Sequence, residues 1–138
     1  MARGVPAGLS SPTRGVFGGG YSPTTWTDME YITIATTGVV QDFGELTSGG
    51  LMASNAASNP IRGLFFGGAP SNTQNIDLIN IASTGNAVKF GDMTTAKAYR
   101  NCANSPTRAI AGGGQTPGST TVIDMVAVSY THLRAHET

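Results

Sequence analysis

Arg14-Gly15-Val16-Phe17-Gly18-Gly19-Gly20 returns as Arg62-Gly63-Leu64-Phe65-Phe66-Gly67-Gly68, and again as Arg108-Ala109-Ile110-Ala111-Gly112-Gly113-Gly114. The three copies start 48 and then 46 residues apart. An arginine, a short apolar run and a glycine doublet therefore set a period. A period is the first property to settle, because repeated units fold as copies of one supersecondary structure that bury their faces on one another.

The rest of the chain keeps time with it. Glu30-Tyr31-Ile32-Thr33-Ile34-Ala35-Thr36-Thr37-Gly38 matches Asp77-Leu78-Ile79-Asn80-Ile81-Ala82-Ser83-Thr84-Gly85, and Asp42-Phe43-Gly44-Glu45-Leu46 matches Lys89-Phe90-Gly91-Asp92-Met93. Ser11-Pro12-Thr13 and Ser105-Pro106-Thr107 precede equivalent arginines. The period divides the chain into the end of a preceding repeat (1–10), repeat 1 (11–57), repeat 2 (58–104), a truncated repeat 3 (105–127) and a tail (128–138) that breaks the pattern.

Each unit parses into four short strands. The Arg-led run is apolar on both faces, as expected of a strand covered on both sides. The glycine doublets Gly19-Gly20, Gly67-Gly68 and Gly113-Gly114 end it and let the backbone turn or pack closely. The second strand alternates, with Ile32 and Ile34 on one side and Tyr31 and Thr33 on the other. Thr37-Gly38 and Thr84-Gly85-Asn86 supply turn chemistry before a third strand through Phe43 or Phe90. A fourth strand is expected near Leu51-Met52-Ala53 and Ala98–Cys102.

Four strands in about 47 residues, in tandem, predict an all-β chain: a partial β-propeller of about two and a half four-stranded antiparallel blades. The apolar strand capped by a glycine doublet resembles kelch-like propellers from Ser11 to Val126, although Trp26 has no counterpart in the other units. Ser-Pro-Thr-Arg-Gly-Val-Phe-Gly-Gly-Gly, Ile-Ala-Ser-Thr-Gly-Asn-Ala and Phe-Gly-Asp are similar to repeats of bacteriophage tail-associated proteins. That resemblance implies a virion or extracellular surface. Val128–Thr138 is similar, residue for residue, to one reading frame of a transposase-based sequencing adapter, which implies a non-native read-through tail. His132 and His136 beside Glu137 imitate a metal-binding helix there, without the full His-Glu-x-x-His pattern. Those two histidines are the only ones in the chain.

Composition narrows function. Charged residues make up 12% of 138 and cancel to zero, so no basic field points to nucleic acid. No apolar run approaches the roughly 18 residues of a membrane helix. Cys102 is the only cysteine, so it forms no intrachain disulfide and reads as a small buried apolar group. Gly113-Gly114-Gln115-Thr116-Pro117-Gly118-Ser119 has glycines spaced like a phosphate loop but lacks its lysine. The single acidic residues read as arginine partners or turn caps. Arg14, Arg62 and Arg108 read as repeated structural contacts, salt bridges or carbonyl bonds. With no histidine in the repeats, a Ser-His-Asp or Cys-His centre has no base.

The remaining candidates are variable loops: Tyr21, Thr24 and Trp26 in the first unit, Asn72 and Gln74 in the second, Gln115 and Thr116 in the third. Exposed aromatics among them suit a sugar or a protein partner, while Trp26 packed between blades is the competing reading. The expectation is a non-enzymatic structural or recognition module without cofactor or metal, contacting a protein or glycan and further blades of the same array. The alternative is a propeller domain of a carbohydrate-active or oxidase enzyme whose active site lies elsewhere.

Overall fold

The computed structural model describes residues 4, 6–22, 24–36, 38–47, 55–69, 74–96, 98–115, 121–127 and 135–137. Twelve strands form three sheets of four. Sheet 1 holds β1 (Ala7–Ser10), β2 (Arg14–Gly18), β3 (Asp28–Thr33) and β4 (Gln41–Glu45). Sheet 2 holds β5 (Asn55–Ser58), β6 (Arg62–Phe66), β7 (Asn75–Asn80) and β8 (Val88–Asp92). Sheet 3 holds β9 (Asn101–Asn104), β10 (Arg108–Gly112), β11 (Ile123–Ala127) and β12 (Ala135–Glu137). Each is an antiparallel meander in chain order. This is the predicted partial propeller, with one sheet per blade.

The sheets are offset from the sequence period by one strand. Every sheet starts with the strand just before the Arg-led run, so the segment read as a fourth strand opens the next sheet instead. Leu51, Met52 and Ala53 lie outside the described residues, and Ala98–Cys102 runs into β9 at Asn101. Two and a half units of sequence become three sheets because residues 1–10 supply β1 and the 128–138 segment supplies β12. That last strand pairs with β11 through Asp124↔Glu137, Met125↔His136 and Val126↔Ala135. Strand pairing satisfies main-chain groups whatever the side chains, so it does not bear on the origin of the segment.

Burial follows from position in the stack. In the middle sheet, Leu64, Phe65 and Phe66 are all buried, since both faces are covered. In sheet 1 the same strand buries Val16 and exposes Phe17; in sheet 3 it buries Ala109 and Ala111 and exposes Ile110. Two apolar clusters fill the two junctions. Leu9, Val16, Met29 and Phe43 pack on Phe65, Ile79 and Ile81, and Leu64, Phe66, Ile76 and Phe90 pack on Ala109, Ala111 and Val126.

Polar contacts repeat at each junction as well. Asp77 accepts the Thr47 main-chain N–H at 2.9 Å and the Thr47 hydroxyl. Asp124 accepts the Thr94 hydroxyl at 2.6 Å. Near the first strands, the Ser58 hydroxyl donates to the Ser10 carbonyl at 2.8 Å and accepts the Ser10 N–H at 3.4 Å. Asn104 treats Ser58 the same way, its amide donating to the Ser58 carbonyl and its Oδ1 accepting the Ser58 N–H at 3.5 Å. At the outer rim, Gly85 N–H donates to the Phe43 carbonyl (2.7 Å) and Ala87 N–H to the Glu45 carbonyl (2.8 Å). The register shifts at Met29/Glu30 and again at Ile76/Asp77, so the bulge is itself part of the repeat.

Candidate functional site

Loops collect at the two ends of the sheets. At one end, the glycine doublets turn the chain, Gly19 and Gly20 at φ 69° and 109°, Gly113 and Gly114 at 72° and 100°. The residue after each doublet pairs with the connector entering the same sheet. Tyr21 and Gly4 exchange two main-chain hydrogen bonds of 2.9 Å, and Gln115 and Ala98 exchange two of 3.0 and 3.3 Å. Tyr21 and Gln115 are exposed here. Thr24 is exposed, and its carbonyl accepts the Ser22 N–H. Gln74 is exposed, and its carbonyl accepts the Met93 N–H at 2.7 Å. Asn72 and Thr116 lie outside the described residues.

Trp26 is half-buried, and its indole N–H donates to the Ser22 carbonyl at 3.1 Å. Its main-chain N–H reaches the Gly20 carbonyl at 3.0 Å. These bonds tie Trp26 to its own loop, and it belongs to neither junction cluster.

The arginines of the repeat are structural contacts. Arg14 donates through Nη1 to the Ile81 carbonyl at 3.0 Å, crossing to sheet 2, and its guanidinium lies 4.2 Å from the Tyr31 ring centre. Tyr31 meets Phe43 edge-on at 5.9 Å. Arg62 is half-buried at the same place in sheet 2 and Arg108 is exposed in sheet 3. Gly67 and Gly68 are buried after β6, with the Gly67 N–H donating to the Asn75 carbonyl at 3.0 Å.

The residues that sequence reasoning missed lie in the connector into β9. Tyr99 has φ 59° and is 60% exposed. A non-glycine residue in the left-handed region costs on the order of 1–3 kcal/mol and persists only where its surroundings enforce it. The next residue supplies the enforcement. Arg100 is buried; it donates through Nη1 to Asp124 at 2.9 Å and through Nη2 to the Thr95 carbonyl at 2.9 Å. Arg100 thus nails the connector to β11 while the preceding tyrosine ring stands in solvent. The only sequence signal was an arginine beside aromatic Tyr99 in a segment otherwise poor in charge.

Cys102 sits at the edge of the second cluster. Burial pushes its thiol up to about 12, with the Arg100 charge pulling more weakly the other way. The neutral thiol that the fold prefers is fully populated below about pH 9, so its contribution to stability is intact there. That contribution is lost as pH climbs through the window up to about 12. At pH 8, a thiol-specific disulfide reagent is expected to label the folded chain at least about 100-fold more slowly than the urea-unfolded chain. Equal rates would show that this edge is not packed.

At the opposite end, the turns between first and second strands converge. Ser10, Pro12, Ser58, Pro60, Asn104 and Pro106 line an opening of about 460 Å³. Its polar side chains are occupied locally: Ser11 and Ser105 accept the N–H groups of Arg14 and Arg108, and Asn59 accepts that of Arg62.

Three four-stranded blades around one line of first strands define a β-propeller segment. No protein-family model and no curated protein sequence matches the chain. Among solved structures it is similar to one titled "Structure of YjhT", with a TM-score of 0.81 over 99% of this chain and 9% identity. The match covers 51% of that protein, so this chain spans about half its length. At that identity the likeness concerns the fold alone.

Proposed function

We propose that the chain is a non-enzymatic recognition module of the kelch-like propeller class, of the kind carried by bacteriophage tail-associated proteins. It offers the glycine-doublet end of its blades to a glycan or a protein. The observation that carries this reading is Tyr99, a solvent-facing aromatic held in a left-handed backbone conformation beside the buried Arg100–Asp124 pair. A fold that keeps an exposed ring at a conformational cost retains it for contact rather than packing. Tyr21 presents a second exposed ring at the same end of its own sheet, and flat amphipathic rings suit the apolar face of a sugar or a partner side chain.

The test separates binding from stability. Tyr99→Gly removes the ring and the backbone strain together, so the variant is expected to melt as high as the parent or higher, by up to about 1 kcal/mol. Its affinity for a ligand found by screening neutral and acidic oligosaccharides is expected to fall by about 30-fold, a hot-spot loss near 2 kcal/mol. Tyr21→Ala is expected to weaken binding in the same direction. Undiminished affinity in both variants, or chemical conversion of the bound glycan, would overturn the proposal.

A further inference from the structure

We infer that the two open faces of the three-blade stack fit one another, so that two copies of this chain close head to tail into a six-blade ring. The evidence is positional equivalence within the repeat. On the face that sheet 1 turns away from sheet 2, Phe17 is 48% exposed, whereas its equivalent Phe65 is 1% exposed inside the first junction. Ile34 is 54% exposed, and its equivalent Ile81 is 1%. On the far face of sheet 3, Ile110 is 40% exposed, and its equivalent Leu64 is fully buried. Each open face therefore repeats the residue pattern of a face that is dry elsewhere in the same molecule.

Volume matching shows what would cover them. At the first junction Phe65 packs on Gly18, whose added Cβ would come within 3.0 Å of the Phe65 ring. At the second junction the sizes are exchanged: Phe66 stands where Gly18 stood and meets Ala111 in place of a phenylalanine. Each junction thus carries one large and one small residue at this position. The open faces carry Phe17 on one and Gly112 on the other, the same arrangement as the first junction. A groove of about 270 Å³ bounded by Ala103, Arg108 and Ile110 lies on the far face of sheet 3. Its polar partners are in place too. Arg108 is equivalent to Arg14 and would reach the Ile34 carbonyl of a second copy as Arg14 reaches that of Ile81. Ser10 of that copy would bracket the main chain of Asn104 as Ser58 brackets Ser10.

Closure after two copies follows from pitch. Three blades superpose on 51% of a solved propeller chain, so two such stacks complete a circuit of the same curvature. A heterologous junction repeated twice about a common axis gives a closed ring with twofold symmetry rather than a fibre.

Sedimentation velocity on the 138-residue chain is expected to show a dimer whose mass stops rising with concentration. Gly112→Phe places two rings at one position and is expected to weaken dimerisation by at least about 100-fold. Gly112 is not among the positive-φ glycines, and Phe66 occupies the equivalent position in sheet 2, so the backbone accepts the change. Adding Phe17→Ala to Gly112→Phe recreates the exchanged sizes of the second junction and is expected to restore the dimer. Far-ultraviolet circular dichroism of the single variant should keep its β-sheet spectrum. A cooperatively melting monomer, an open series of oligomers, or failure of the double variant to recover would each overturn the inference. Further units of the same polypeptide, or an unrelated protein, would then be what covers these faces.

Discussion

Asp124→Ala is expected to lower the stability of the fold by about 3–5 kcal/mol, the cost of leaving a buried guanidinium without its counter-ion. Arg100 and Asp124 are each about 1% exposed at the side chain and share a 2.9 Å bond. Among the described residues, Arg100 Nε has no hydrogen-bond partner, so little remains to compensate the charge once the carboxylate is gone. Asp124 also holds the Thr94 hydroxyl from sheet 2, so the substitution loosens a blade junction and a connector together. The loss is large against the ~5–15 kcal/mol that holds a typical domain together. Urea denaturation of the parent, Asp124→Ala and the apolar pair Arg100→Met with Asp124→Leu checks it. The apolar pair is expected to recover most of the loss, because well-packed hydrophobic groups replace buried ion pairs at little cost. A loss below about 1 kcal/mol for Asp124→Ala would show that water reaches the pair.

Gly44→Ala is the second large effect, expected to cost on the order of 3–5 kcal/mol. Gly44 has φ 147°, and a Cβ built there would lie 2.1 Å from the Gly85 carbonyl oxygen of the next sheet. The backbone strain contributes ~1–3 kcal/mol. The clash is with main chain rather than a movable side chain, so sheet 2 must retreat. Retreat breaks the Gly85-to-Phe43 and Ala87-to-Glu45 hydrogen bonds, at ~0.5–1.5 kcal/mol each. Gly85→Ala provides the contrast. Gly85 has a similar φ of 153°, yet a Cβ there meets nothing within 4 Å. It is expected to show the strain alone, leaving Gly44→Ala the more damaging by about 2 kcal/mol in thermal or urea unfolding. Equal losses at the two positions would mean that the rim contact contributes nothing.

The sequence carried the architecture because architecture here is repetition. Arg14, Arg62 and Arg108 mark the period, and the double-sided apolar runs that follow them show that the sheets must stack. The phase was less legible. Strand boundaries between units depend on which hydrogen bonds form, and the short polar strand β5 or β9 looks the same whether it ends one sheet or opens the next. Arg14 was read as a structural contact and meets a carbonyl of the neighbouring sheet. Trp26 looked equally suited to contact or to inter-blade packing, and the bond from its indole to Ser22 places it in its own loop. Tyr99 was invisible as a site residue. Nothing in Ala98-Tyr99-Arg100 declares a positive φ, since the conformation is imposed by the distant Asp124 rather than by a local glycine. The pairing of Phe17 with Gly112 was likewise hidden until equivalent positions were placed in a common frame.

The bonds made by Ser58 and Asn104 have a consequence for how such a gene changes. Each of these side chains grips the main chain of the blade before it, and main chain is common to every blade. Along the axis, therefore, a unit does not need to know the sequence of its predecessor. Unequal crossing-over between repeats can insert or delete whole blades without spoiling these contacts. Only the large-and-small pairing in the middle of each sheet has to be matched afresh.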